Sequence, residues 1–111
     1  LMAMTQTKLH APSQLGTSLS TLYTVPGSTT TVVKQIALCN TAAANRTVTL
    51  HLVPSGGSAS SANAILFDVA VDSKSTTFVN LSAVMATGDF IQASASVAAS
   101  VSIHSFGIQE A

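Results

Sequence analysis

From Arg46 to Val53 the chain reads Arg-Thr-Val-Thr-Leu-His-Leu-Val. Val48, Leu50 and Leu52 fall on one side of a period of two, and Thr47, Thr49 and His51 on the other, the pattern of a half-buried strand. The same period recurs between turn residues along most of the chain. Residues 20–25 set Thr21, Tyr23 and Val25 against Leu22 and Thr24. Pro26-Gly27 then stops the run, because proline presets the first corner of a turn and glycine supplies positive φ. Residues 29–39 are rich in β-branched side chains, with Ile36 and Leu38 directed inward. Val32 shares their parity, but so does Lys34, so a bulge or an open edge is expected there.

Further on, Ile65, Phe67, Val69 and Val71 share a face opposed by Asp68 and Asp72, and a strand is expected over 74–81. A connection follows at 82–87, with room for one helical turn. Gly88-Asp89 turns the chain into 90–96, where Ile91, Ala93 and Ala95 alternate with Gln92 and Ser94. The last strand, 100–109, puts Val101 and Ile103 on one side and His104, Phe106 and Ile108 on the other. With both sides apolar, it is either central in a sandwich or meets another chain. No segment holds a helical period for ten residues. Seven or eight strands separated by turn signals predict an all-β, single-domain sandwich or barrel over 19–111. Residues 1–18, with Pro12 and Gly16 and no clean period, read as an extended N-terminal arm with a short strand near its end.

The residues available to cover that fold limit its function. Sixteen Ser and fourteen Thr make 30 of 111 residues, while charged residues are 7% and the net charge is zero. Soluble domains carry roughly 25% charged residues, and a neutral surface does little to keep copies apart. Four scattered cations, Lys8, Lys34, Arg46 and Lys74, make no phosphate-binding patch, so no nucleic acid is expected as a partner. No apolar run approaches the roughly 20 residues of a membrane helix, so no membrane is expected either.

The chemistry-bearing residues are equally sparse. His10, His51 and His104 show no ligand spacing with one another or with the acids, and Cys39 is the lone cysteine. His51 and His104 sit mid-strand and could meet across a sheet, but no third ligand is evident. Asp68 and Asp72 lie about 13 Å apart along a strand, too far for paired acid–base work. The Ser55–Ser61 run lacks the lysine and helix of a phosphate cradle, and Cys39 reads as an inert buried thiol. No enzyme, metal or cofactor is expected.

Leu22-Tyr23-Thr24-Val25-Pro26, then Val33-Lys34-Gln35-Ile36-Ala37-Leu38-Cys39-Asn40-Thr41, then Arg46-Thr47-Val48-Thr49-Leu50 occur in that order. With Gly88-Asp89-Phe90-Ile91, this series resembles small phage virion structural proteins over about two-thirds of the chain. The resemblance implies a jelly-roll β-sandwich that decorates a capsid as a cement protein, or sits in a head fibre or tail. It further implies a homo-oligomer bound to the major capsid protein or other virion proteins, on the capsid surface, after assembly in the cytoplasm of a bacterial host. Contacts are then expected from the arm (Leu1, Met2, Met4, Leu9, Leu15) and from His104, Phe106 and Ile108 on the last strand. A competing expectation is a tail or fibre module that binds host-surface carbohydrate. Sugar platforms stack on exposed aromatics, and this chain has no Trp and one Tyr, Tyr23.

Overall fold

A computed structural model describes residues 4–111. Nine strands are present among them: β1 (Met4–Lys8), β2 (Ser13–Gln14), β3 (Ser20–Thr24), β4 (Thr30–Asn40), β5 (Arg46–Val53), β6 (Ala64–Val71), β7 (Thr76–Met85), β8 (Phe90–Ala95) and β9 (Val101–Glu110). They form two antiparallel sheets, one ordered β1-β9-β4-β7 with β2 also on β9, the other ordered β3-β8-β5-β6. From β2 onward the chain changes sheets at every connection except β5–β6. That alternation is the doubled Greek key of a jelly roll.

The core lies between the sheets. Val33, Ile36 and Leu38 of β4 and Val101 and Ile103 of β9 face Val48 and Leu50 of β5 and Ile91 and Ala93 of β8, all fully buried. Val33 and Ile36 are three apart, so β4 cannot keep a strict period of two. The register against β9 steps between Val33 and Gln35, making Lys34 the extra residue expected from its conflicting parity. The step reverses the face on which odd residues point, so Val33 and Ile36 both reach the core and Lys34 stays exposed. It also drives the two backbones together: a Cβ on Gly107 would lie 2.3 Å from the Val32 carbonyl oxygen.

Two groups of buried polar side chains link the sheets and close a turn. The hydroxyls of Tyr23 and the fully buried Thr31 lie 2.7 Å apart, and Gln109 Nε2 donates to the Tyr23 oxygen at 2.6 Å. This ties β3 of one sheet to β4 and β9 of the other. Asn40 is buried and fastens the turn after β4: its Nδ2 donates to the carbonyls of Ala44 and Val71, and its Oδ1 accepts from Ala42 N.

The structure departs from several sequence expectations. Residues 4–15 do not stand away as an arm. Met4–Lys8 and Ser13–Gln14 both pair with β9, and Leu9 and Leu15 are buried in the chain's own core, so neither can serve as an outward contact. These pairings bring the strand number to nine in place of seven or eight. Leu1 and Met2 lie outside the described residues. In β6, Asp68 has a φ of 50° and the register against β5 shifts twice, which turns Leu66 inward and leaves Ile65 and Phe67 exposed. The stretch 82–85 continues β7 and forms no helical turn.

The close approach at Gly107 makes a stability prediction. Gly107→Ala should cost about 1–3 kcal/mol by overpacking, seen as a Tm several degrees lower. After Pro26 the left-handed corner falls on Ser28, with φ 54°, and not on Gly27 as the sequence suggests, so Gly27→Ala, where a Cβ meets nothing within 4 Å, should leave Tm unchanged or slightly raised.

Candidate functional site

The outer faces of the two sheets differ in chemistry. In an antiparallel pair, directly opposed residues share a face. On the β3-β8-β5-β6 sheet the outward row Thr49–Ser94 and the neighbouring Thr21–Gln92 pair are polar, and Gln92 Nε2 donates to Thr21 Oγ1 at 3.2 Å. On the β1-β9-β4-β7 sheet the rows run otherwise. Phe78, Ala37 and His104 form one, and Asn80, Gln35, Phe106 and Lys8 the next. Val84, Val32, Ile108 and Gln6 form a third, with Met4 beside Glu110 beyond it.

This second face carries several large apolar side chains that none of the described residues covers. Val84 is 72% exposed, Met4 68%, Phe78 59% and Phe106 38%. The rings of His104 and Phe106 stack at 6.3 Å between centroids and 16° between planes. Its polar groups largely satisfy one another: Lys34 Nζ donates to Ser82 Oγ at 3.1 Å, and Gln35 Nε2 to Asn80 Oδ1 at 2.9 Å. A shallow recess of about 490 Å³ opens among Gln6, Lys8, Lys34, Phe106 and Ile108. Scattered exposed apolar residues are ordinary in soluble proteins, whereas several gathered on one sheet face mark a surface that another molecule covers.

Of the residues singled out in the sequence, Met4, His104, Phe106 and Ile108 lie together on this face. Leu9 and Leu15 do not. Phe78 and Val84 join the first four from the outward parity of β7; Phe78 falls inside the expected strand 74–81, where its alternation with Val79 and Leu81 is legible, and Val84 falls in the expected connection 82–87.

Among the other chemistry-bearing groups, His10 has Nε2 2.9 Å from the hydroxyl of the fully buried Ser105 and Nδ1 2.9 Å from the Ala11 carbonyl. His51 is buried on the other sheet, its Nδ1 2.9 Å from Asn63 Oδ1, so it does not meet His104. Among the described residues no three of His, Cys, Asp and Glu come together as metal ligands. Cys39 is half-buried on the outer side of β4 and not sealed in the core. Tyr23 is buried with its hydroxyl engaged, so it offers no stacking surface to a sugar. Thr17, Thr47, Thr49, Asp68, Ser94 and Ser96 line a polar recess of about 240 Å³ without an aromatic residue.

The architecture defines a jelly-roll sandwich in which exposed apolar side chains spread across the outer face of the β1-β9-β4-β7 sheet, while on the other sheet they are confined to Ile65 and Phe67 of the edge strand β6. No family model matches the chain, and no curated protein matches it in sequence. Solved structures share its fold. A Bacillus endospore appendage protein, from a family of disulfide-linked pili, superposes with a TM-score of 0.60 at 14% identity, over 98% of this chain and 88% of that one. A chain of infectious bursal disease virus, Gx strain, gives 0.52 at 12% identity over 99% of this chain. VP2 of a subviral particle of the same virus gives 0.50 at 12%. This chain spans about a third (32%) of the length of each of those two viral chains.

Because Phe78 and Phe106 touch water and not the core, Phe78→Ser with Phe106→Ser should leave Tm within a few degrees of wild type while lowering binding of a hydrophobic dye. A collapse of Tm would mean that the face supports the fold itself.

Proposed function

We propose that the chain is a structural subunit of a larger protein assembly and, more specifically, a phage capsid-decoration protein that stabilises the head by binding its shell as a homo-oligomer. One observation carries this reading: the apolar-rich outer face of the β1-β9-β4-β7 sheet, which has no partner among the described residues. Covering an exposed phenylalanine gains up to about 1.5–3 kcal/mol. The Ser, Thr, Asn and Gln around it lose less on docking than a charged rim would, since fixing one Lys or Glu costs up to about 1.5–2 kcal/mol of rotamer entropy. Repetition multiplies the effect, because many copies on a symmetric lattice bind through avidity even when each contact is modest. The sequence resemblance to small virion proteins supports the same reading. So does the likeness of fold to a pilus protein and to VP2 of a viral particle. The one Ser–His contact among the described residues, His10 Nε2 with Ser105 Oγ at 2.9 Å, has its serine fully buried and no acid on the second ring nitrogen, which faces the Ala11 carbonyl, so it supports no competing catalytic reading.

Purified chain mixed with phage heads lacking it should co-sediment in a fixed ratio and raise the temperature at which the heads lose their genome. It should also sediment faster than an 11.2 kDa monomer as its concentration rises. The Phe78→Ser, Phe106→Ser variant should lose most of the head binding. A chain that stays monomeric and ignores shells would contradict the proposal.

A further inference from the structure

We propose that β7 is a self-pairing edge: two copies of the chain join antiparallel along Thr76–Met85 about a twofold axis through Leu81. The inference rests on reading the chain as an assembling subunit, and it names the surface and the partner, a second copy.

The edge is open. β7 pairs only with β4, so its other row of backbone N–H and C=O groups has no strand beside it among the described residues. Exposed edges invite another strand, and proteins blunt them by shortening, bulges or charge. Three of the four edges here carry such devices. β1 has five residues and ends in Lys8, and β3 has five with a register shift. β6 is shifted twice and presents Asp68. β7 has ten residues with no proline and no charge, and it keeps unbroken alternation despite the register step against β4.

Its inward side is also incomplete. Val79, Leu81 and Ala83 are only half-buried, whereas Val33, Ile36, Leu38, Val101 and Ile103 on the central strands have no exposure at all. An adjoining strand would extend the core over that flank.

The sequence of β7 selects the partner. A closed twofold contact must be self-complementary, and opposed residues must share a face. With Leu81 opposite Leu81 of the second copy, the inward pairs are Leu81 with Leu81, Val79 with Ala83 and Thr77 with Met85. The outward pairs are Phe78 with Val84 and Asn80 with Ser82. Outside, apolar meets apolar and amide meets hydroxyl. Centring on Asn80 instead sets Phe78 against Ser82 and Val84 against Thr76, and centring between two residues sets inward against outward. The Leu81 register alone matches both faces, and it merges the two apolar outer faces into one continuous surface.

The test uses the full chain with Cys39→Ser. Adding Leu81→Cys should give a disulfide-linked dimer on mild oxidation, because that residue meets itself across the axis. Phe78→Cys, whose opposite number is Val84, should not. Independently, Phe78→Lys with Val84→Lys should weaken self-association about tenfold by placing like charges opposite each other, and Phe78→Lys with Val84→Glu should restore it. Self-association unchanged by the Lys/Lys pair, with no Leu81→Cys cross-link, would overturn this edge and leave the assembling-subunit reading in place. So would a chain that binds shells but never self-associates. A chain that does neither overturns the reading itself.

Discussion

Everything in the first sheet depends on how β4 and β9 accommodate one extra residue. Lys34 has no counterpart on β9, and the step it creates lets Val33 and Ile36 both face the core. The backbones approach so closely there that position 107 tolerates only a hydrogen. Strand register is otherwise weakly fixed when both faces of a strand are apolar, since a slip by one residue exchanges them. β9 is such a strand, with Val101 and Ile103 inside and Phe106 and Ile108 outside. The Lys34–Gly107 fit admits one register, and so decides which apolar set is buried and which is left facing water.

That choice links fold to function. The set left outside joins Phe78, Val84 and Met4 into a surface that none of the described residues covers, while the opposite sheet presents Thr, Ser and Gln across β3, β8 and β5 and exposed apolar side chains on its edge strand β6. A jelly roll hosts many unrelated roles, so its presence alone assigns none. The asymmetry between the two outer faces is what favours an assembling subunit, and the neutral composition lets copies approach without charge repulsion.

Local alternation marks the strands more reliably than it marks their partners. Val48, Leu50, Ile91, Ala93 and Ala95 face inward as their alternation required, and the irregularity at Lys34 was visible as a charged residue on an apolar parity. His51 reads as outward yet is buried, because Asn63 reaches back from the long loop; that residue also donates to Ser58 O. Nothing within Arg46–Val53 encodes a loop ten residues later folding over it. Phe67 reads as inward because the shifts that invert β6 depend on its pairing with β5, a property of two strands and not of one. The burial of Leu9 and Leu15 was hidden for a similar reason. Their partners lie on β9, at the far end of the chain, and only β5 and β6 among the sequence-adjacent strands pair with each other. The outer face was half legible, through His104, Phe106 and Ile108. Its other half, on β7, becomes a face only once β4 has brought the strands side by side.

An assembling subunit must cover that face when it assembles. Hydroxyl-radical labelling can report this directly, with the phenylalanines as probes and the same chain compared when dilute and when assembled on shells. Phe78 and Phe106 should become strongly protected while Phe67, exposed on the other sheet, keeps its reactivity. Equal labelling of all three in both states would show that water still reaches the face, and the central claim would be wrong.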